Sequence, residues 1–141
     1  MTKSIEELKE YVAQTRRDIV RMVHGVQSGH PGGSLGCTEL LTVLYQNVLR
    51  HNPSDFKMDG NDEDIFILSN GHISPVFYAC LARSGYFPVN EFFQRNAFFR
   101  ADNFLFFAKF VINLFSKKLS LNFAGNPNST IICIQNIWIL D

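Results

Sequence analysis

Ser28-Gly29-His30-Pro31-Gly32-Gly33-Ser34-Leu35-Gly36 places four glycines, one proline and one histidine in nine residues, between two stretches with the apolar spacing of amphipathic helices. Glycine admits positive φ and close approach of backbone to a ligand, while Pro31 fixes its own φ and biases His30 toward extended backbone. The stretch therefore predicts a loop that presents backbone N–H groups and one imidazole at the mouth of the following helix. Such a loop suits something small and oxygen-rich. The alternative is an ordinary helix–helix turn with a spare histidine.

Upstream, Ser4-Ile5-Glu6-Glu7 has the form of a capping box. Apolar residues then recur at Ile5, Leu8, Val12, Ile19, Met22 and Val26, the spacing of one buried helical stripe. Arg16, Arg17, Asp18 and Arg21 fall mostly off that stripe, and the helix is predicted to end near Val26, before Ser28-Gly29. His24, inside it, reads as structural or solvent-facing. Downstream, Thr38 is placed to cap a second helix carrying Leu40, Leu41, Val43, Leu44, Val48 and Leu49, which Asn52-Pro53 closes. The acidic stretch over residues 55–64 lacks calcium-loop spacing and reads as a solvated loop.

Ile65-Phe66-Ile67-Leu68 is wholly apolar, which predicts a strand buried on both faces, as in a parallel sheet between helices. Ser69-Asn70-Gly71-His72 follows, and Ser74-Pro75 reads as an N-cap and first helical residue, with Gly85 ending that helix. Strand, histidine-bearing turn and helix make the layout of an α/β phosphate site at the carboxyl edge of a sheet. A cofactor at such an edge draws on loops from several strands, and here two loops each offer a glycine-flanked histidine.

A chain of 141 residues predicts one domain with a real core. Thirteen basic residues balance thirteen acidic ones, so no global field recruits nucleic acid or an anionic membrane. Cys37, Cys80 and Cys133 are widely spaced and read as free thiols in a reducing compartment. The charged N-terminus lacks the apolar run of a signal peptide, and a cytoplasmic location is expected. Composition changes near Glu91: of fourteen phenylalanines, only Phe56, Phe66, Phe77 and Phe87 precede it. The apolar runs at residues 104–115 and 131–140 are too short to span a membrane and read as a buried helix and strand or as an aggregation-prone tail.

Residues 21–36 with Ser28-Gly29-His30-Pro31-Gly32-Gly33, then Leu68-Ser69-Asn70-Gly71-His72 and residues 81–87, resemble the start of transketolase, most narrowly the separate N-terminal subunit of the split bacterial-type enzyme. The similarity covers about residues 4–91. It implies an α/β chain carrying an incomplete thiamine-diphosphate-binding fold, with helices and a parallel-sheet strand. It also implies ketol transfer between sugar phosphates with thiamine diphosphate and magnesium. On this resemblance His30 lies near the reacting carbons as a partly buried imidazole, and His72 lies beside the diphosphate, with Gly71 and Ser28 in support. A C-terminal transketolase subunit or dimer partner is implied as well.

Past Glu91 the family's further Gly-His-Pro loop and its metal-binding Gly-Asp-Gly motif do not occur: Gly125 is the only later glycine, and no histidine follows His72. The expected organisation is a truncated transketolase head at residues 1–91 and a non-family hydrophobic tail at residues 92–141. The enrichment of that tail in Phe, Asn, Ile and Lys is what AT-rich DNA yields out of frame. Two other readings stand beside this one: a non-catalytic gene remnant or interaction module, and another thiamine-diphosphate-dependent synthase.

Overall fold

The computed structural model describes residues 2–27, 29–56, 62–68, 70–90 and 131–134. Helix α1 (Ile5–Val26) starts on the capping box read from the sequence: the Ser4 hydroxyl accepts from the Glu7 N–H and the Glu7 carboxylate accepts from the Ser4 N–H. It ends at Gln27, whose φ of 53° closes the helix in the left-handed region. Ile19 and Met22 lie on its buried face, as the stripe predicts.

Two expectations for the glycine-rich stretch change. Pro31–Gly36 is a short helix, α2, with proline at its first turn, and not an irregular loop. Pro31 is preset for helical φ and the missing N–H costs nothing there, so the turn can form despite its glycines. Thr38 is then already helical, the first residue of α3 (Thr38–Val43), and it caps nothing. Its hydroxyl donates to the Ser34 carbonyl at 3.0 Å, one turn back. The helix widens into a π-turn at Leu44–Val48, closed by Leu49 N–H donating to the Leu44 carbonyl at 2.8 Å.

The apolar run forms strand β1 (Ile65–Leu68), as expected, but its two faces are unequal: Phe66 and Leu68 are buried, Ile65 and Ile67 half-buried. Strand β2 (Ile131–Ile134) pairs with it in parallel, Ile65 opposite Ile131 and Leu68 opposite Ile134. The tail therefore supplies a strand neighbour that residues 1–91 do not contain. A parallel partner requires a crossover, and α4 (Ser74–Arg83) lies within it. The domain is thus α/β, with helices dominating the described residues.

The core forms where α1, α3 and α4 meet β1. Leu41, Ile73, Val76, Phe77, Ala79 and Cys80 pack with Ile19 and Met22. Phe66 stacks on Phe77 at 5.5 Å, and Tyr45 meets both rings edge-on. Gly85, at φ +96°, turns the chain out of α4. No described helix is long and apolar enough to cross a membrane.

Candidate functional site

The turn after β1 begins with Asn70, whose side-chain oxygen accepts the backbone N–H of His72 at 3.1 Å. This Asx turn shapes Gly71–Ile73 into one tight 3₁₀ turn. Ile73, and not Ser74, is therefore the residue at the entrance to α4. The sequence signal for it is an Asn two residues before a backbone donor. The turn divides its side chains: Ile73 is 2% exposed and plugs the core, while Gly71 and His72 face solvent.

His30 stands at the N-cap of α2 with extended backbone, φ −116° and ψ 116°, and makes no capping bond. Its neighbour Gly29 takes φ +98°, which a residue with a side chain rarely adopts, and so turns the chain from α1 into α2. The expectation of a partly buried imidazole is not met: His30 is exposed, as is His72. Gly29, Gly32 and Gly71 have open space where a Cβ would stand. Among the described residues neither ring accepts or donates a hydrogen bond. Ser28 lies outside the described residues.

The two histidine-bearing segments are packed together. Helix α2 lies against the Gly71–Ile73 turn, and a Cβ at Gly33 would come within 3.2 Å of Ile73 Cγ2. His30, the N-cap residue of α2, stands three positions before Gly33. His72 is four residues beyond the carboxyl end of β1. What results is a pair of histidine-bearing segments packed against one another, with both imidazoles exposed. That chemistry fits an anionic, oxygen-rich ligand such as a diphosphate. The described residues hold no cluster of three His, Cys, Asp or Glu side chains arranged for a metal ion.

A model of the transketolase thiamine diphosphate binding domain matches residues 8–96. The chain belongs to that family. It is similar to the transketolase of Buchnera aphidicola subsp. Acyrthosiphon pisum, 40% identical over 84 residues, which is 59% of this chain and 12% of that protein. It is also similar to transketolase 2 of Xanthobacter flavus, 46% identical over 70 residues, 49% of this chain and 10% of the relative. One subunit of the apulose-4-phosphate transketolase of Actinobacillus succinogenes is 38% identical over 86 residues, 60% of this chain and 30% of that polypeptide. The chain thus spans less than a third of each of these relatives.

Within this transketolase-family domain, sequence reasoning misses the clamp that ties α1 to α4. Asp18 falls off the apolar stripe, yet it is fully buried. Its Oδ2 accepts from Arg83 Nε at 2.8 Å and Nη2 at 2.6 Å, and its Oδ1 from Gln14 at 3.3 Å. Arg21 adds a longer contact at 3.6 Å. Helix α1 precedes His30 and α4 follows His72, so this ion pair joins the two helices that flank the histidine-bearing segments. Nothing in the spacing of Asp18 and Arg83, 65 residues apart, announces the contact.

His51 Nε2–H donates to the Tyr45 carbonyl at 2.8 Å, and the ring stacks on Tyr86 at 5.6 Å. His24 is exposed, as expected. Cys37 and Cys80 are free and buried; burial raises both thiols, Cys80 to about 12, which keeps them protonated and unreactive near neutral pH.

Proposed function

We propose that this chain contributes part of a thiamine diphosphate site and serves ketol transfer between sugar phosphates. The observation that carries the reading is the packing of α2 on the Gly71–Ile73 turn, which brings the segments of His30 and His72 to one edge beyond β1. In this reading the His72 imidazole holds the diphosphate oxygens with Gly71 in support, and Ser28 supports the neighbouring loop. His30 faces the sugar, orienting a hydroxyl by donating or accepting one hydrogen bond. The coenzyme, when bound, supplies the carbon nucleophile and the electron sink.

The family's metal-binding Gly-Asp-Gly motif does not occur in these 141 residues, and the carboxylate that activates the coenzyme would come from a C-terminal transketolase subunit or a dimer partner. The similarity to a relative that is itself named as one subunit of a transketolase supports a partnered arrangement. The exposure of both imidazoles is consistent with a surface completed by a second polypeptide. Such a protein works in the cytoplasm, and alone it has negligible activity.

A thermal-shift titration with thiamine diphosphate and magnesium, wild type against His72→Ala, tests the reading. A ligand that binds only the native state raises the midpoint, by about 2.7 kcal/mol of stability at a hundredfold excess over Kd. Wild type is expected to show a saturable rise that His72→Ala weakens. No saturable rise, with a complementary C-terminal half also supplied, would overturn the proposal and leave a non-catalytic chain. Ketol transfer by the pure chain would contradict the division of labour.

A further inference from the structure

The contact between Gly33 and Ile73 is closer than a side chain at position 33 allows. A Cβ there would meet Ile73 Cγ2 at 3.2 Å. Ordinary carbon–carbon contact is about 3.5–4.0 Å, so a methyl group at position 33 would require the Ile73 side chain or the α2 segment to give by a few tenths of an ångström. Ile73 is 2% exposed and belongs to the buried core with Val76, Phe77 and Leu41, where interior density leaves few voids. Gly32, the adjacent glycine, has open space instead, so the requirement belongs to position 33 alone.

Each partner of the contact is tied to one histidine by a short, stiff piece of chain. Gly33 is one helical turn from His30, and Ile73 directly follows His72, whose N–H is held by Asn70. Resting on the site reading above, we infer that Gly33 and Ile73 are positioning residues: the close seat of Gly33 on the Ile73 side chain sets the separation of His30 and His72, and with it the span of the ligand the pair can hold together. The ligand class is a diphosphate ester carrying a second group that His30 reaches. Neither residue touches the ligand. Both act through the histidine next to them.

The test compares Gly33→Ala, Gly32→Ala and the pair Gly33→Ala/Ile73→Leu in the full chain. Leucine keeps the volume of isoleucine but lacks the branch at Cβ that the new methyl would strike. Two readouts are taken well below each variant's melting point: the Kd of thiamine diphosphate with magnesium by calorimetry, and the NMR signals of the two imidazoles and of the methyl groups at position 73. Small misplacements of binding groups are costly, so Gly33→Ala is expected to weaken binding roughly 5- to 10-fold. It should also move the signals of His30 and His72. The Ile73→Leu change should restore both, while Gly32→Ala stays at wild type. Gly85→Ala, strained at the far end of α4, should lower the melting point with Kd and histidine signals unchanged, which a merely structural role for Gly33 would mimic.

Wild-type Kd and histidine signals in Gly33→Ala, or no recovery in the double variant, would overturn the inference. Should Gly33→Ala not fold, Ile73→Ala reads the same contact from the other side and must move the His30 signals; unmoved signals overturn it. If wild type itself fails to bind, the site reading falls. The NMR arm then decides separately whether the contact governs the two histidines.

Discussion

Replacing Arg83 by methionine keeps an apolar stem in place and removes the guanidinium that satisfies Asp18. The carboxylate is fully buried, and Arg83 gives it two donors at 2.8 and 2.6 Å. Removing one partner of a buried pair costs roughly 3–5 kcal/mol, because the other charge stays in a medium that solvates it poorly. The Arg83 side chain is 24% exposed, so water enters the gap it leaves. Gln14 and Arg21 also remain near the carboxylate. Both facts favour the low end, about 3 kcal/mol. At roughly 4 °C per kcal/mol for a chain of this size, the melting point should fall by about 12 °C. Urea denaturation followed by circular dichroism measures the loss directly. Asp18→Asn/Arg83→Met should cost less than the sum of its single changes by about 1–3 kcal/mol, since no abandoned charge remains. A loss below about 1 kcal/mol in Arg83→Met, or additive single changes, would refute the reasoning.

Gly85→Ala should destabilise by about 1–2 kcal/mol through backbone strain at positive φ; a Cβ there meets nothing closer than Pro53 Cβ at 3.9 Å, so a larger loss in urea would point to another cause. Arg16 donates to Glu39, and that hydrogen bond holds the carboxyl below its ordinary value. A depressed native pKa adds stability that is full above the unfolded pKa and lost as pH falls through the native one. The advantage of wild type over Glu39→Gln in urea midpoint should therefore be present at pH 6 and close by pH 3. It should be small, because both side chains are largely exposed. Iodoacetamide at pH 8 should leave Cys37 and Cys80 unmodified in the native chain and label both in urea, as mass spectrometry would report, because burial disfavours the thiolate.

Local chemistry is readable residue by residue. Ser4 and Glu7 sit three apart and can only cap the helix they begin, so the start of α1 follows from two side chains and their nearest amides. The alternation-free run Ile65-Phe66-Ile67-Leu68 gives its strand for a similar reason: no polar side chain there competes for the backbone, and the run is too short for a helix. The two histidine-bearing segments are also visible, because glycine and proline restrict or free the backbone wherever they stand.

Relations across distance are not readable in this way. Asp18 looks like a surface residue on any helical wheel; it is buried because Arg83, at the end of another helix, reaches it. Thr38 has the identity of a cap but is the first residue of α3, because Cys37 takes the N-cap position and the Thr38 hydroxyl bonds back to the Ser34 carbonyl of α2. The exposure of His30 and His72, and the partner strand from residues 131–134, depend on which surfaces meet. The same holds for the close seat of Gly33 on Ile73: a glycine's identity permits close contact, but only the packing of α2 on the Gly71–Ile73 turn determines what comes close. Capping, turn and strand preferences act within a few residues of chain, whereas burial and pairing energies belong to surfaces that exist only after the chain has folded back on itself.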